Sequence, residues 1–148
     1  MKVFVTGVAG QLGHDVMNEL ASRGYTGVGT DLAESYSGIQ DGSYVTTAEY
    51  VSLDITNSEA VMHTIKSIKP DVVVHCAAWT AVDLAEDEDK QAKVKQLMWM
   101  AHKILPMLVK EIDAKMVYIS TDYVFDGQGT EPWQPDCKDY KPLNVYGQ

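Results

Sequence analysis

The feature that most constrains this chain is a glycine-spaced turn close to its start. Val3-Phe4-Val5 leads into Gly7-Val8-Ala9-Gly10-Gln11-Leu12-Gly13, after which Leu12, Val16 and Leu20 recur at helical spacing. A glycine motif between a strand and a helix predicts a strand–turn–helix unit that opens a parallel sheet. In such a unit the first glycine permits the tight turn, the second lets the backbone approach a pyrophosphate, and the third lets helix and strand pack closely. The N-terminus of the helix adds free N–H groups and a partial positive charge, which suit phosphate. The spacing here is Gly-x-x-Gly-x-x-Gly rather than Gly-x-Gly-x-x-Gly.

Three further apolar runs, Val28 to Asp31, Val72 to His75 and Met116 to Ile119, are short and rich in β-branched residues. With Val3-Phe4-Val5 they read as strands buried on both faces of a parallel sheet. Thr56-Asn57-Ser58 is a good N-cap cluster for a helix carrying Val61, Ile65 and Ile68. The polar stretch from Glu34 to Glu49 predicts a surface loop before another short strand at Tyr50 to Leu53. Asp126 to Gln148, with Pro132, Pro135 and Pro142, predicts a loop that ends at the start of a helix. Alternating strands and helices imply an α/β fold, a doubly wound parallel sheet with helices on both faces, in one domain over 1–148.

Composition narrows the partners. Lys and Arg total 12 against 21 acids, a net charge of −9. No basic face is available for nucleic acid, so a small molecule is the expected ligand. No run reads as a signal peptide or reaches the length of a membrane span, so the expected location is the cytoplasm, with no membrane partner. Cys76 lies in an apolar run and Cys137 in a polar one, which reads as two reduced thiols. Asp83, Glu86, Asp87, Glu88 and Asp89 read as a solvated helix start rather than a metal site.

Asp31 ends the second strand, eighteen residues after Gly13. An acid there can accept hydrogen bonds from adenosine ribose hydroxyls and would repel a 2′-phosphate, which favours NAD over NADP. The glycine spacing resembles that of the extended short-chain dehydrogenases. His75-Cys76-Ala77-Ala78-Trp79-Thr80-Ala81-Val82-Asp83, Ser120-Thr121-Asp122-Tyr123-Val124-Phe125-Asp126-Gly127 and Pro142-Leu143-Asn144-Val145-Tyr146-Gly147 resemble the dTDP-4-dehydrorhamnose reductases, a branch of that family. The resemblance runs through essentially the whole chain.

The resemblance implies a Rossmann-type fold and an NAD(P)-dependent oxidoreductase; with Asp31, NADH is the preferred cofactor and NADPH is allowed. It implies reduction of the 4-keto group of a dTDP-6-deoxy-4-hexulose in dTDP-rhamnose synthesis, with a nucleotide sugar as partner, a homodimer allowed, and no metal. It assigns cofactor binding to Gly7, Gly10, Gln11, Leu12, Gly13, Asp31, Asp54, Ile55, Ala77 and Ala78, with Asp54-Ile55 at the adenine ring. Substrate binding falls to Trp79, Thr80, Val82 and Asp83. Tyr146 matches the proton donor and Thr121 the hydroxyl that holds the carbonyl; a phenol, of ordinary pKa ~10, needs a cation to donate near neutral pH. In the family that cation is a lysine four residues after the tyrosine, and this sequence ends at Gln148. The expectation is therefore an N-terminal part, inactive as a reductase by itself. Two other functions stay open: a non-catalytic relative like the regulatory subunit of methionine adenosyltransferase, and another nucleotide-sugar epimerase or dehydratase.

From Gln96 to Leu108 the resemblance fails. The family has Val-Asn-x-x-Gly-Thr opening a helix, and this chain reads Leu97-Met98-Trp99-Met100-Ala101-His102. Single codons for Met and Trp force ATG TGG ATG GCN under Met98 to Ala101. Read one base earlier, this encodes Val, Asp and Gly, preceded by Asn if the first base is A. The expectation is a pair of compensating frameshifts, entering near Gln96 and leaving near Val109. Against it, Leu97, Met100, Ala101, Ile104, Leu105 and Leu108 form an apolar stripe at helical spacing. For it, Pro106 inside a helix should cost about 3 kcal/mol or more.

Overall fold

The computed structural model describes all residues, 1–148. Five strands, β1 (Lys2–Thr6), β2 (Thr26–Asp31), β3 (Glu49–Ser52), β4 (Val72–His75) and β5 (Lys115–Tyr118), form one sheet in the order β3-β2-β1-β4-β5. Every pairing is parallel, with Val3 opposite both Gly27 and Val72, Val28 opposite Glu49, and Val72 opposite Lys115. The helices are α1 (Gln11–Ser22), α2 (Ser58–Ile68), α3 (Glu88–Trp99) and α4 (Leu105–Glu111). From β1 the chain winds outward to β3, then returns past β1 to β4 and continues to β5. Right-handed crossovers therefore put α1 on one face of the sheet and α2 and α4 on the other. The ion pair of Lys66 on α2 with Glu111 on α4, at 2.7 Å, fits that placement. This is the Rossmann-type doubly wound architecture expected from the alternation of elements.

The chain falls into two compact units, Met1–Ala78 with Met98–Ile119, and Trp79–Leu97 with Ser120–Gln148. The first holds the sheet. Its core contains Val3, Phe4, Val5, Val28, Val61, Ile65 and Val73, all almost wholly buried. The helix at 58–68 starts where its N-cap cluster predicts: Asn57 Oδ1 accepts from Ala60 N at 3.1 Å. It ends at Lys69, in the left-handed conformation with φ 49°, just before Pro70.

Three expectations need correction. On α1, Val16 and Leu20 pack half-buried on the core beside the buried Gly13, His14 and Met17, but Leu12, the first residue of the expected stripe, is exposed. β5 is not buried on both faces, because it is the last strand in the sheet, and Val117 and Ile119 stand 47% and 49% exposed. The segment Asp126–Gln148 is bends and turns throughout, with no helix at its end.

The segment around Pro106 is helical. α3 passes into a π-helical stretch, Met100–Ile104, and then into α4, so Pro106 falls in the first turn of a new helix. There a missing N–H removes no needed bond, and the wider π turn accommodates the change in pairing that an interior proline would otherwise break. Met100, Ala101, Leu105, Leu108 and Val109 are all buried, so the apolar stripe packs whatever its coding history. Leu105→Ala should therefore destabilise the fold by about 2–5 kcal/mol in urea unfolding. Pro106→Ala should cost less than about 1 kcal/mol; a neutral Leu105→Ala would show that the segment does not pack as described.

Candidate functional site

Carboxyl ends of parallel strands, where the strand order reverses, are where doubly wound sheets bind ligands. Here the reversal lies between β1 and β4, and the glycine turn leaves β1 at that point. Gly7 takes φ 73°, a conformation that favours glycine, and its N–H donates to Thr30 O at 2.9 Å. A Cβ on Gly7 would lie 2.6 Å from Ala77 N at the end of β4, and one on Gly13 would lie 2.2 Å from Gly7 O. Both glycines are thus demanded by the protein's own backbone. Gly10 differs: an added Cβ would meet only Gly7 O at 3.4 Å, and its φ of −82° suits any residue. Packing gives no reason for glycine at this N-cap, and close approach of a ligand does.

Asp31 reaches back to the turn. Its Oδ2 accepts from Ala9 N at 3.0 Å and its Oδ1 from Leu32 N at 2.8 Å. The carboxylate therefore fixes the second residue of the Val8-Ala9 link and stays only half-buried, with lone pairs left for a sugar hydroxyl. Asp54 makes its own tight turn, Oδ1 accepting from Thr56 N at 2.9 Å and from Thr56 Oγ1 at 2.7 Å. Ile55, beside it, is buried. Ala77 and Ala78 follow β4, half-buried and exposed, and Ala77 N donates to Thr6 Oγ1 at 3.2 Å. Gln11 and Leu12 are exposed at the first turn of α1.

Residues that the sequence reading did not single out support this turn. Thr6 Oγ1 also sits 2.8 Å from His75 Nδ1; with Oγ1 accepting from Ala77, its proton is free for that nitrogen. His75 is 2% exposed and stacks on Tyr118 at 5.9 Å, while His102 meets the same ring edge-on at 4.9 Å. Burial, with a smaller contribution from the His102 charge, holds the His75 imidazole down to about 4. Burial also pushes the neighbouring Cys76 thiol up to about 11, the opposite of what a nucleophile needs. On α1, Asn18 Oδ1 accepts from Val45 N at 3.0 Å and His14 Nε2 lies 3.2 Å from Asp41, so the 34–48 loop is tied to the helix behind the turn. A polar residue inside an apolar strand, as at Thr6 and His75, was the one available signal for any of these.

The candidate catalytic and substrate residues lie in the second unit. Thr121 caps the short 3-10 turn Asp122–Val124: its Oγ1 accepts from Tyr123 N at 3.2 Å, while its own proton faces Asp122 Oδ1 only at 3.4 Å. Tyr123 meets Tyr146 edge-on, ring centroids 5.6 Å apart, and so links the two candidates. A Cβ on Gly147 would lie 2.2 Å from Tyr123 O, which seats the chain after Tyr146 directly on that turn. Trp79 Nε1 donates to Ala81 O at 2.7 Å, and Val82 N to Thr80 O at 3.1 Å, so the Trp79–Val82 loop is closed on itself. Asp83 opens the 3-10 turn Asp83–Glu86 and is exposed. Position 98, where the family resemblance places asparagine, carries a half-buried Met98. No group of three or more His, Cys, Asp or Glu side chains has metal-site geometry, and no helix is long and apolar enough to cross a membrane.

Comparison with known proteins agrees on one family. The profile described as RmlD substrate binding domain matches residues 1–148. The chain is 34% identical over 149 residues to the dTDP-4-dehydrorhamnose reductase of Escherichia coli, covering all of this chain and 44% of that protein. It is 32% identical to Methionine adenosyltransferase 2 subunit beta of Rattus norvegicus, across 99% of this chain and 40% of that one. Among solved structures, the dTDP-4-dehydrorhamnose reductase of Bacillus anthracis in complex with NADP superposes with a TM-score of 0.77 at 32% identity, over 99% of this chain and 45% of that one. The chain thus spans less than half the length of the relatives it matches.

Two outcomes follow from the geometry of the first unit. Gly7→Ala and Gly13→Ala should each destabilise by more than about 2 kcal/mol in urea, while Gly10→Ala should stay within about 1 kcal/mol of wild type; equal effects at all three would contradict the division of roles. His75, depressed from 6.5 to about 4 in the folded chain, refuses a proton that the unfolded chain accepts. Its contribution is complete above pH 6.5 and is lost as pH falls toward 4, on the order of 3 kcal/mol in all. Stability measured from pH 7 to 4 should fall less steeply in His75→Asn than in wild type; parallel curves would remove His75 as the cause.

Proposed function

The chain belongs to the RmlD substrate binding domain family, and from that premise we propose that its first unit holds a nicotinamide dinucleotide as part of a nucleotide-sugar reductase. The observation that carries the reading is Asp31 Oδ2 on Ala9 N at 3.0 Å, inside a turn whose middle glycine could carry a Cβ with no contact closer than Gly7 O at 3.4 Å. The turn fits a dinucleotide on that ground. Gly10 and the N–H groups at the start of α1 receive the pyrophosphate, and Asp31 accepts from the adenosine ribose hydroxyls. Asp54 and Ile55 border the adenine, and Ala77 and Ala78 give the cofactor a small-residue passage past β4.

Bound, the reduced nicotinamide supplies a hydride. The proposed acceptor is the 4-keto carbon of dTDP-4-dehydrorhamnose, as in the E. coli relative. Thr121 Oγ1, accepting from Tyr123 N, turns its proton from the long 3.4 Å contact with Asp122 Oδ1 to the carbonyl oxygen, and Tyr146 gives the proton that completes the alcohol. Trp79, Thr80, Val82 and Asp83 form the loop assigned to the sugar nucleotide. A cytoplasmic location and a homodimer accompany this reading. The similarity to the rat regulatory subunit supports a second one, dinucleotide binding without catalysis. Loss of dTDP-4-keto-sugar reduction on Tyr146→Phe in the complete gene product separates the two.

The finer proposal is a preference for NADH. A 2′-phosphate would meet the Asp31 carboxylate, and NADP in the B. anthracis relative makes this a property of this chain to be measured rather than carried over. Calorimetric titration should give a dissociation constant for NADH at least about tenfold below that for NADPH, a difference of about 1.4 kcal/mol. Gly10→Val should weaken both while leaving the unfolding free energy within about 1 kcal/mol of wild type. Tighter NADPH binding would overturn the preference, and unchanged binding by Gly10→Val would overturn the site.

A further inference from the structure

The acidic run Asp83 to Asp89 looks like a solvated helix start, and four of its five acids are placed that way. Glu86 is not. Its Oε1 accepts from Val145 N at 2.7 Å, a bond between residues 59 apart in sequence, within the second unit. Glu86 ends the 3-10 turn Asp83–Glu86, and Ala85 next to it is completely buried. The turn is held in place on both sides: Ala85 N donates to Ala81 O and Val82 O, and Gln91 Nε2 from α3 donates to Glu86 O at 3.2 Å. The carboxylate is therefore presented from a fixed backbone. Val145, which donates to it, is buried and immediately precedes Tyr146.

Tyr146 is then held from three directions. Its ring rests edge-on against Tyr123, and Gly147 after it sits against Tyr123 O with its N–H on Asn144 Oδ1 at 2.8 Å. Lys141 N on Val124 O at 3.0 Å ties the start of the same segment to the 122–124 turn. These contacts all come from one side of sequence, the 121–125 segment and the 141–148 segment themselves. Glu86 is the anchor that comes from elsewhere, and a charged acceptor on a backbone donor is stronger than a neutral one. In a stretch with no helix or strand pairing, each such bond decides where the backbone lies.

We propose that Glu86 is a positioning residue for Tyr146: its carboxylate fixes the Val145 peptide and thereby aims the phenol that shares the 121–125 turn with Thr121. The proposal rests on the reading of Tyr146 as proton donor for its functional meaning, and on the Glu86–Val145 bond for its structure. It also gives the 79–86 loop a second task, since the loop assigned to the sugar nucleotide and the group that aims the proton donor are then one continuous piece of chain. A substrate that moves Trp79–Asp83 would be felt at Tyr146 through Glu86.

The test is NMR on the 148-residue chain. In the wild-type chain the Val145 amide should exchange at least tenfold more slowly than an unstructured amide, the protection expected from its bond to Glu86 Oε1. E86A should raise the Val145 amide exchange rate at least tenfold and weaken the Tyr123–Tyr146 cross-ring contact, while E86Q, whose Oε1 can still accept, should keep both within threefold of wild type. The protection of Val145 in the wild-type chain decides the matter even if E86A fails to fold. An unprotected Val145 amide in the wild-type chain, or E86A exchange equal to wild type, overturns the proposal. NADH titration of the same samples keeps the two readings apart: E86A should bind NADH as wild type does, since the glycine turn lies in the other unit. Absence of NADH binding in every sample would sink the function while leaving the Glu86 result standing.

Discussion

Everything in the first unit depends on how closely backbone meets backbone at the end of β1. Gly7 brings the chain within 2.6 Å, measured from where a side chain would begin, of the Ala77 amide, and Gly13 stands 2.2 Å by the same measure from the Gly7 carbonyl. No other residue type fits either place. The consequence is that β1, β4 and the first turn of α1 converge on one point, at the reversal of strand order, with the free N–H groups of the helix beside it. Asp31 closes the arrangement from β2 by holding Ala9. A turn fixed by steric necessity at two glycines leaves the third free for a ligand.

The support behind that point is polar and buried, which is expensive unless every group is paired. Thr6 solves this by serving both the Ala77 amide and the His75 ring, so a hydroxyl and an imidazole sit at the carboxyl ends of β1 and β4 without an orphan. The depressed basicity of His75 is the cost of that burial. The second unit works differently. It has little regular structure, and its order comes from individual bonds: Thr121 on Tyr123, Gly147 on Asn144, Glu86 on Val145.

Much of the sheet was legible because parallel strands leave short β-branched runs with little else to be. The glycine turn was legible because its order, strand then glycines then helix, admits few structures. The limits are equally physical. Val117 and Ile119 look like core residues in sequence, and only strand order reveals that β5 stands at an edge. Pro106 reads as a helix breaker until a π turn five residues long places it at a helix start. Glu86 carries no signal at all, since its partner is a backbone amide 59 residues away and its neighbours are acids of the ordinary solvated kind. The same holds for His14 and Asn18, which tie down a loop no periodicity describes.

The central claim is that the glycine turn and Asp31 form the binding site for the adenosine and pyrophosphate part of a nicotinamide dinucleotide. The most direct measurement is a map of backbone amide shifts in the isotope-labelled chain as NADH is added. The account requires the largest changes at Ala9, Gly10, Gln11 and Leu32, fading along α1 toward Ser22. Saturable shifts confined to other parts of the chain, with the Gly7–Gly13 amides unmoved, would contradict it.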